Sequence, residues 1–154
     1  MIRDIAARRI AVGWTVGRDP GQLQTVPPQI ASRMAALITN RRRLYESGAV
    51  LVPGSDAGVT PAKPHDVLPY APEELAAAGL GPAEILQAMT SRAAQACGLG
   101  RRKGRIAPGF DADIIAVDGN PIDDLAAIRK LRAVYIAGRP VLPAPGGPDG
   151  SKER

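Results

Sequence analysis

The chain has 154 residues, 45% hydrophobic and 23% charged, with a formal net charge of +5. These proportions suit one globular domain and exclude a wholly disordered chain. Its one cysteine, Cys97, excludes a disulfide within the chain.

Aromatic residues make up only 3% of the chain, so the core has to be built from Ala, Leu, Ile and Val. Alanine buries little apolar area, and apolar burial drives folding. Such a core is thin for an independent domain and implies that the chain leans on further surfaces. The basic residues fall in separate runs at Arg8-Arg9, Arg41-Arg42-Arg43 and Arg101-Arg102-Lys103, with no aromatics interleaved for base stacking. Nucleic acid is therefore not an expected partner. No basic-then-apolar leader opens the sequence and no apolar run reaches about 18 residues, so no membrane association is expected and a soluble cytoplasmic protein is the default.

In chain order, residues 2–9 suit the end of a helix, and residues 10–16 are short and β-branched, as in a strand. Residues 17–21 carry turn chemistry. Residues 27–47 read as one helix opened by Pro27-Pro28, with Ile30, Met34, Leu37, Ile38 and Leu44 at helical spacing and Gly48 as its stop. Residues 49–52 form a continuous apolar run, expected to be a strand buried on both faces. A proline-rich loop covers residues 59–72. A short helix follows Pro72 and stops near Gly79, and a second runs from Gly81 to Cys97, which is expected to be a small core residue. Residues 105–113 are turns that feed a strand at 114–117, residues 123–130 hold a helical turn or two, and residues 133–137 are a strand turning at Gly138-Arg139. Residues 143–154 read as a disordered tail. The order implies α/β units of a parallel sheet up to about residue 100 and a small β-module after it.

Three segments together resemble the amidohydrolase superfamily, especially its imidazolonepropionase-like and prolidase-like members. Gly48-Ala49-Val50-Leu51-Val52-Pro53-Gly54-Ser55-Asp56-Ala57-Gly58 is similar to the family's eighth barrel strand with its Gly-Ser/Thr-Asp-Ala-Gly motif. The run from Glu84 to Leu99, with Thr90 four residues before Ala94, resembles the family's last barrel helix and its Ala-x-x-x-Thr-x-x-x-Ala pattern. The run from Lys103 to Pro121 resembles the return into a small β-sandwich, and Val134 to Val141 resembles its closing hairpin. The resemblance spans residues 27–142. It implies an α/β fold: the last two or so βα units of a TIM-type metallo-hydrolase barrel over residues 1–100, and part of a composite β-sandwich over residues 101–142.

The resemblance also implies a chemistry. The aspartate matching Asp56 contacts a divalent metal, zinc above all, and handles protons during hydrolysis of a carbon–nitrogen bond in an amide, cyclic amide or peptide-like small molecule. The end of a buried parallel strand is where barrel enzymes place such a group. The simpler alternative is that Asp56 caps its own turn. His65, the only histidine, is a substrate-contact candidate in the loop at the site's mouth, or else an exposed loop residue. Ser55 and Gly58 are expected to shape the turn. Asp111 and Asp113 are expected to make Asx-type hydrogen bonds in the β-module. The family's His-x-His pair, lysine and two further histidines have no counterpart here, whereas a zinc site uses three or four protein ligands.

Three readings follow. The chain is a truncated amidohydrolase, inactive alone; or a subunit whose barrel is completed by another chain or copy, since exposed sheet edges favour pairing; or a non-catalytic binding module that kept the fold.

Overall fold

The structure, a computed structural model, describes residues 2–25 and 27–142; the tail expected to be disordered lies outside them. Helix α1 (Ile2–Ala7) leads into strand β1 (Ala11–Thr15), and a 3-10 turn covers Pro20–Thr25. The expected long helix is divided into α2 (Pro28–Ala31) and α3 (Met34–Glu46). At the break, Ser32 Oγ donates to Gln29 O and Arg33 N reaches back only three residues to Ile30 O. A serine that bonds its own backbone competes with the helical ladder in this way. After Gly48, at φ +81°, β2 (Val50–Gly54) pairs in parallel with β1, Ala11 opposite Val50 through Thr15 opposite Gly54.

The two strands bury one face. Trp14, Val16, Ala49 and Leu51 pack with Ala71 and Leu75 of helix α4 (Ala71–Ala77), with Ala78 and Leu80, and with Ile85 of helix α5 (Pro82–Gln87). This core is aliphatic and alanine-rich as expected, with the single tryptophan in its midst. The expectation of a strand buried on both faces is not met: Val50 and Val52 are only half-buried, and Ala11, Gly13 and Thr15 are exposed. Among the described residues the sheet has only two strands, so each has a single neighbour, and its second face is only partly covered.

Helix α5 opens with the Glu84 carboxylate accepting from Gly81 N at 3.1 Å, which satisfies a backbone donor near the first turn. It widens into a π-turn (Ala88–Arg92) and ends as α6 (Ala93–Ala96). Cys97, expected in the core, is exposed. It sits at the end of α6, where the chain turns through Gly98 at φ +74°, and the buried position on this segment is Ala94. Gly104 then crosses the π-turn so closely that a Cβ there would lie 2.7 Å from Thr90 O and 2.8 Å from Ser91 Cα.

Strands β3 (Ile114–Val117), β4 (Leu131–Ile136) and β5 (Arg139–Leu142) form a separate antiparallel sheet in that order, with a 3-10 turn (Leu125–Arg129) before β4. The β4–β5 turn is centred one residue earlier than expected, on Ala137 and Gly138, both at positive φ (50° and 77°). Two consecutive left-handed residues match the right-handed twist of a hairpin. Asp113 holds this turn by accepting from Ala137 N at 2.8 Å and by pairing with Lys103. Asp111 pairs with Arg102 and Lys103. The side chains of both aspartates thus cross-link distant parts of the module rather than closing local Asx turns. Among the described residues no helix is long and apolar enough to cross a membrane.

Candidate functional site

Asp56 follows β2 by two residues and stands at the carboxy end of the parallel pair. Its backbone is left-handed, φ +51°, a region that a non-glycine residue occupies at a cost and that Asp tolerates better than most. Its side chain is exposed and makes no hydrogen bond among the described residues. The carboxylate therefore does not cap its own turn.

The turn is held by other groups. Gly58 N donates to Lys63 O at 2.7 Å, Lys63 N to Thr60 O at 2.9 Å, and Asp19 N to Ala62 O at 2.9 Å. Fully buried Val67 and nearly buried Ala62 pin the loop to the body. Gly17 is required where β1 ends, since a Cβ there, at φ +81°, would sit 2.7 Å from Val67 O. The main tie is Lys63. Its ammonium donates to Ser55 O at 2.6 Å, Gly17 O at 3.0 Å and Val16 O at 3.2 Å. One side chain thus joins the ends of both strands and fixes the residue before Asp56. Burial pushes its pKa down from the usual 10.5, against the attraction of Glu74.

Two arginines converge on the same end. Arg18 donates to Glu74 Oε2 at 2.6 Å, and Arg41 reaches the same oxygen at 3.5 Å. Arg41 also donates to Thr15 O at 2.6 Å and lies 4.6 Å over the Trp14 ring. Burial lowers its pKa, with the Glu74 carboxylate opposing that shift. Thr15, Arg18, Arg41, Asp56, Thr60 and Lys63 give the polar lining of a cleft of about 280 Å³, and Pro27, Ile30, Leu37, Val59 and Ala62 its apolar walls.

His65 is not part of this lining. It is exposed, and its ring packs over Gly58, where a Cβ would meet Cε1 at 3.2 Å. Ser55 contributes its carbonyl to Lys63 and Gly58 a left-handed turn at φ +89°, so both shape the loop. Sequence reading did not pick out Arg18, Arg41, Lys63 or Glu74. Arg41 lies off the apolar stripe of its helix and reads as solvated, and only the proximity of Lys63 to Asp56 along the chain was a visible signal.

Whether a divalent metal fits can be tested on these groups. Among the described residues, no three or more His, Cys, Asp or Glu side chains gather to hold one. The charges that share the cleft with Asp56 are cations, which oppose a second cation. These residues do not fit a metal site by themselves.

The sequence profile of the amidohydrolase family matches residues 1–142. The chain belongs to the amidohydrolase family. No curated protein matches the sequence. Among solved structures, this amidohydrolase chain is similar to a Xaa-Pro dipeptidase with methionine bound in its active site, at 28% identity and a TM-score of 0.67, over 73% of this chain and 27% of the other. It is also similar in fold to phenylurea hydrolase B, at 24% identity and a TM-score of 0.73, over 91% of this chain and 35% of the other. A third is a prolidase complexed with N-methylphosphonate-L-proline, at 21% identity and a TM-score of 0.71, over 91% of this chain and 36% of the other. The amidohydrolase chain thus spans about a third or less of the length of these structures.

Proposed function

We propose that this chain serves the hydrolysis of a carbon–nitrogen bond in a small amide or peptide-like substrate and that Asp56 is its catalytic group. The observation that carries the reading is the state of Asp56. Its carboxylate stands at a strand end, on a left-handed backbone, beside a cleft and unused by its own turn. Strain of this kind persists where the surroundings over-determine it, here through the Lys63 tie. In the proposed role Asp56 accepts a proton from the attacking water and delivers it to the leaving nitrogen. His65 packs on Gly58 at the edge of the same loop, and its place in the reading is to contact substrate at the mouth.

In this reading β1 and β2 are neighbouring strands of a TIM-type barrel, residues 1–100 are its last βα units, and residues 101–142 are a segment of the accompanying β-sandwich. The parallel pairing of β1 with β2 and the antiparallel β3–β4–β5 sheet support that division. A chain with one histidine does not supply the ligands that a zinc enzyme uses, so the isolated chain is proposed to be inactive. The purified chain with added zinc is expected to leave a panel of N-acyl amino acids and dipeptides intact, and robust turnover would overturn this part of the proposal.

A second reading is that another polypeptide completes the site. It is favoured by the partly open face of the β1–β2 pair, where Ala11, Gly13 and Thr15 are exposed, and by strand edges that have no partner among the described residues. A reading frame just upstream that carries His-x-His would supply the partner to co-express. Turnover by that pair, lost by roughly 10²–10⁴-fold in Asp56→Asn, is the expected outcome. Activity that survives Asp56→Asn would remove Asp56 from the mechanism.

A further inference from the structure

We propose that the groove at the amino ends of β1 and β2, the end of the sheet away from Asp56, binds the phosphate group of a small ligand through Arg9 and Arg92. The proposal is independent of the hydrolase reading. Two cavities of about 220 and 270 Å³ open there, and Arg9, Val50 and Arg92 line both, so they are two parts of one groove. Ala11 and Val50, the register partners that open the two strands, lie along it. Two uncommon local structures bring the arginines to this place. Arg9 stands just past helix α1, where Arg9 N donates to Ala6 O and Ile10 N to Ile5 O, both at 3.0 Å. This is a helix-ending turn whose left-handed position is usually a glycine. Arg9 occupies it at φ +50°, at a steric cost that glycine would avoid. A residue kept in such a conformation marks a candidate functional position. Arg92 closes the π-turn, a second feature that gathers at functional sites.

The two guanidiniums keep donors for a ligand. The Arg9 side chain has no hydrogen bond or ion pair among the described residues. Arg92 donates from Nη2 to Gln87 Oε1 at 3.1 Å, which leaves its Nε and Nη1. The acid on the lining, Glu84, is already engaged: it accepts from the Tyr45 hydroxyl at 2.6 Å and from Gly81 N at 3.1 Å, and among the described residues it pairs with neither arginine. The Tyr45 hydroxyl, Gly81 N and the charge of Arg92 hold the Glu84 carboxyl below the usual value, so it stays ionised. The groove therefore carries two positive charges against one negative. Arg9, Arg92 and the Gln95 amide reach it from three places: the turn before β1, the π-turn and α6. Donors from several directions suit the tetrahedral oxygens of a phosphate, which guanidinium forks bind through parallel charge-assisted hydrogen bonds. Val50, Leu80 and Ala96 on the walls can take the small apolar body of a phosphate ester.

The test is an amide NMR titration of the purified, isotope-labelled chain with inorganic phosphate and, separately, with phenyl phosphate. Ionic strength is held constant at about pH 7.5, where the phosphate group is largely dianionic. Saturable shifts are expected at the backbone signals of Ala11, Val50 and Gln95, which lie along the groove. Whichever probe binds more tightly tells whether the site takes the free anion or an ester. Arg9→Gly and Arg92→Gln should each weaken binding at these signals roughly tenfold or more, the worth of a lost hydrogen bond to a charged group. Glycine suits the left-handed backbone at residue 9, and the exchange breaks no side-chain contact among the described residues, so Arg9→Gly should keep the fold. Should Arg92→Gln fail to fold, as its spectrum would show, Arg9→Gly decides alone. Shifts that do not saturate, shifts confined to the Asp56 and Lys63 end of the strands, or a folded Arg9→Gly that binds as tightly as the parent would each overturn the proposal.

Discussion

Replacing Lys63 with methionine retains the aliphatic stem and removes the ammonium that joins β1 to β2. Three hydrogen bonds disappear, to Ser55 O, Gly17 O and Val16 O at 2.6, 3.0 and 3.2 Å. Each hydrogen bond to a charged group is worth about 1.5–3 kcal/mol. The three do not add, because one desolvated ammonium makes all of them and its burial opposes folding, as its lowered pKa records. The net loss is therefore expected at about 2–3 kcal/mol, near the value of one such bond. For a chain of this length each kcal/mol moves Tm by roughly 2–4 °C, so Lys63→Met should melt about 5–10 °C below the parent by far-ultraviolet circular dichroism. The pH dependence adds a second readout. The folded pKa of Lys63 lies below 10.5, so the unfolded chain holds this proton more tightly and stability through Lys63 rises as pH climbs from the folded value towards 10.5. The parent should gain on Lys63→Met across that window. A variant that melts within roughly 1 °C of the parent, with no change in the gap at alkaline pH, would refute the clamp.

Gly104→Ala should cost about 2–4 kcal/mol, combining the left-handed backbone at φ +85° with overpacking against Thr90 O and Ser91 Cα. Gly48→Ala, at φ +81° with open space around it, should cost only about 1 kcal/mol, and urea denaturation of the pair separates strain from collision. Asp56→Asn should fall within about 0.5 kcal/mol of the parent in the same assay, since the carboxylate makes no hydrogen bond among the described residues and Asn also tolerates a left-handed backbone; a large loss would restore Asp56 to a turn-capping role. Hydrogen bonds from Lys103 hold Asp111 and Asp113 below the usual carboxylate value of 3.8, so their contribution is complete above 3.8 and is lost as pH falls through the lower folded values. Thermal melts at stepped acidic pH should show this acid-side loss shrinking in Lys103→Met, and an unchanged acid limb would show that the pairs do not stabilise the fold.

Much of the element order was written in local sequence. The β-branched run before residue 17, the glycine stops at Gly48, Gly79 and Gly98, and the proline at the start of α5 act over a few residues, and each stands where a local rule puts it. The motif ending in Ser55-Asp56-Ala57-Gly58 singled out Asp56 for the same reason, because the group proposed as catalytic and the turn that carries it are contiguous in the chain. Local rules failed where a distant partner decides the outcome. Cys97 shares the helical apolar pattern with Ala94, yet only Ala94 has the body of the protein beside it. The β4–β5 turn centres on Ala137 because Asp113, 24 residues earlier, accepts from its N–H.

The sequence alone determined the family, the place of Asp56 and a core built largely from small aliphatic residues. Only the tertiary structure decided what surrounds Asp56. Arg18, Arg41, Lys63 and Glu74 come from separate turns and helices, and they meet because β1 and β2 pair in parallel and bring their carboxy ends together. Electrostatic interactions depend on distance in space and on burial, and neither quantity is encoded by residue type or spacing until the chain has folded back on itself.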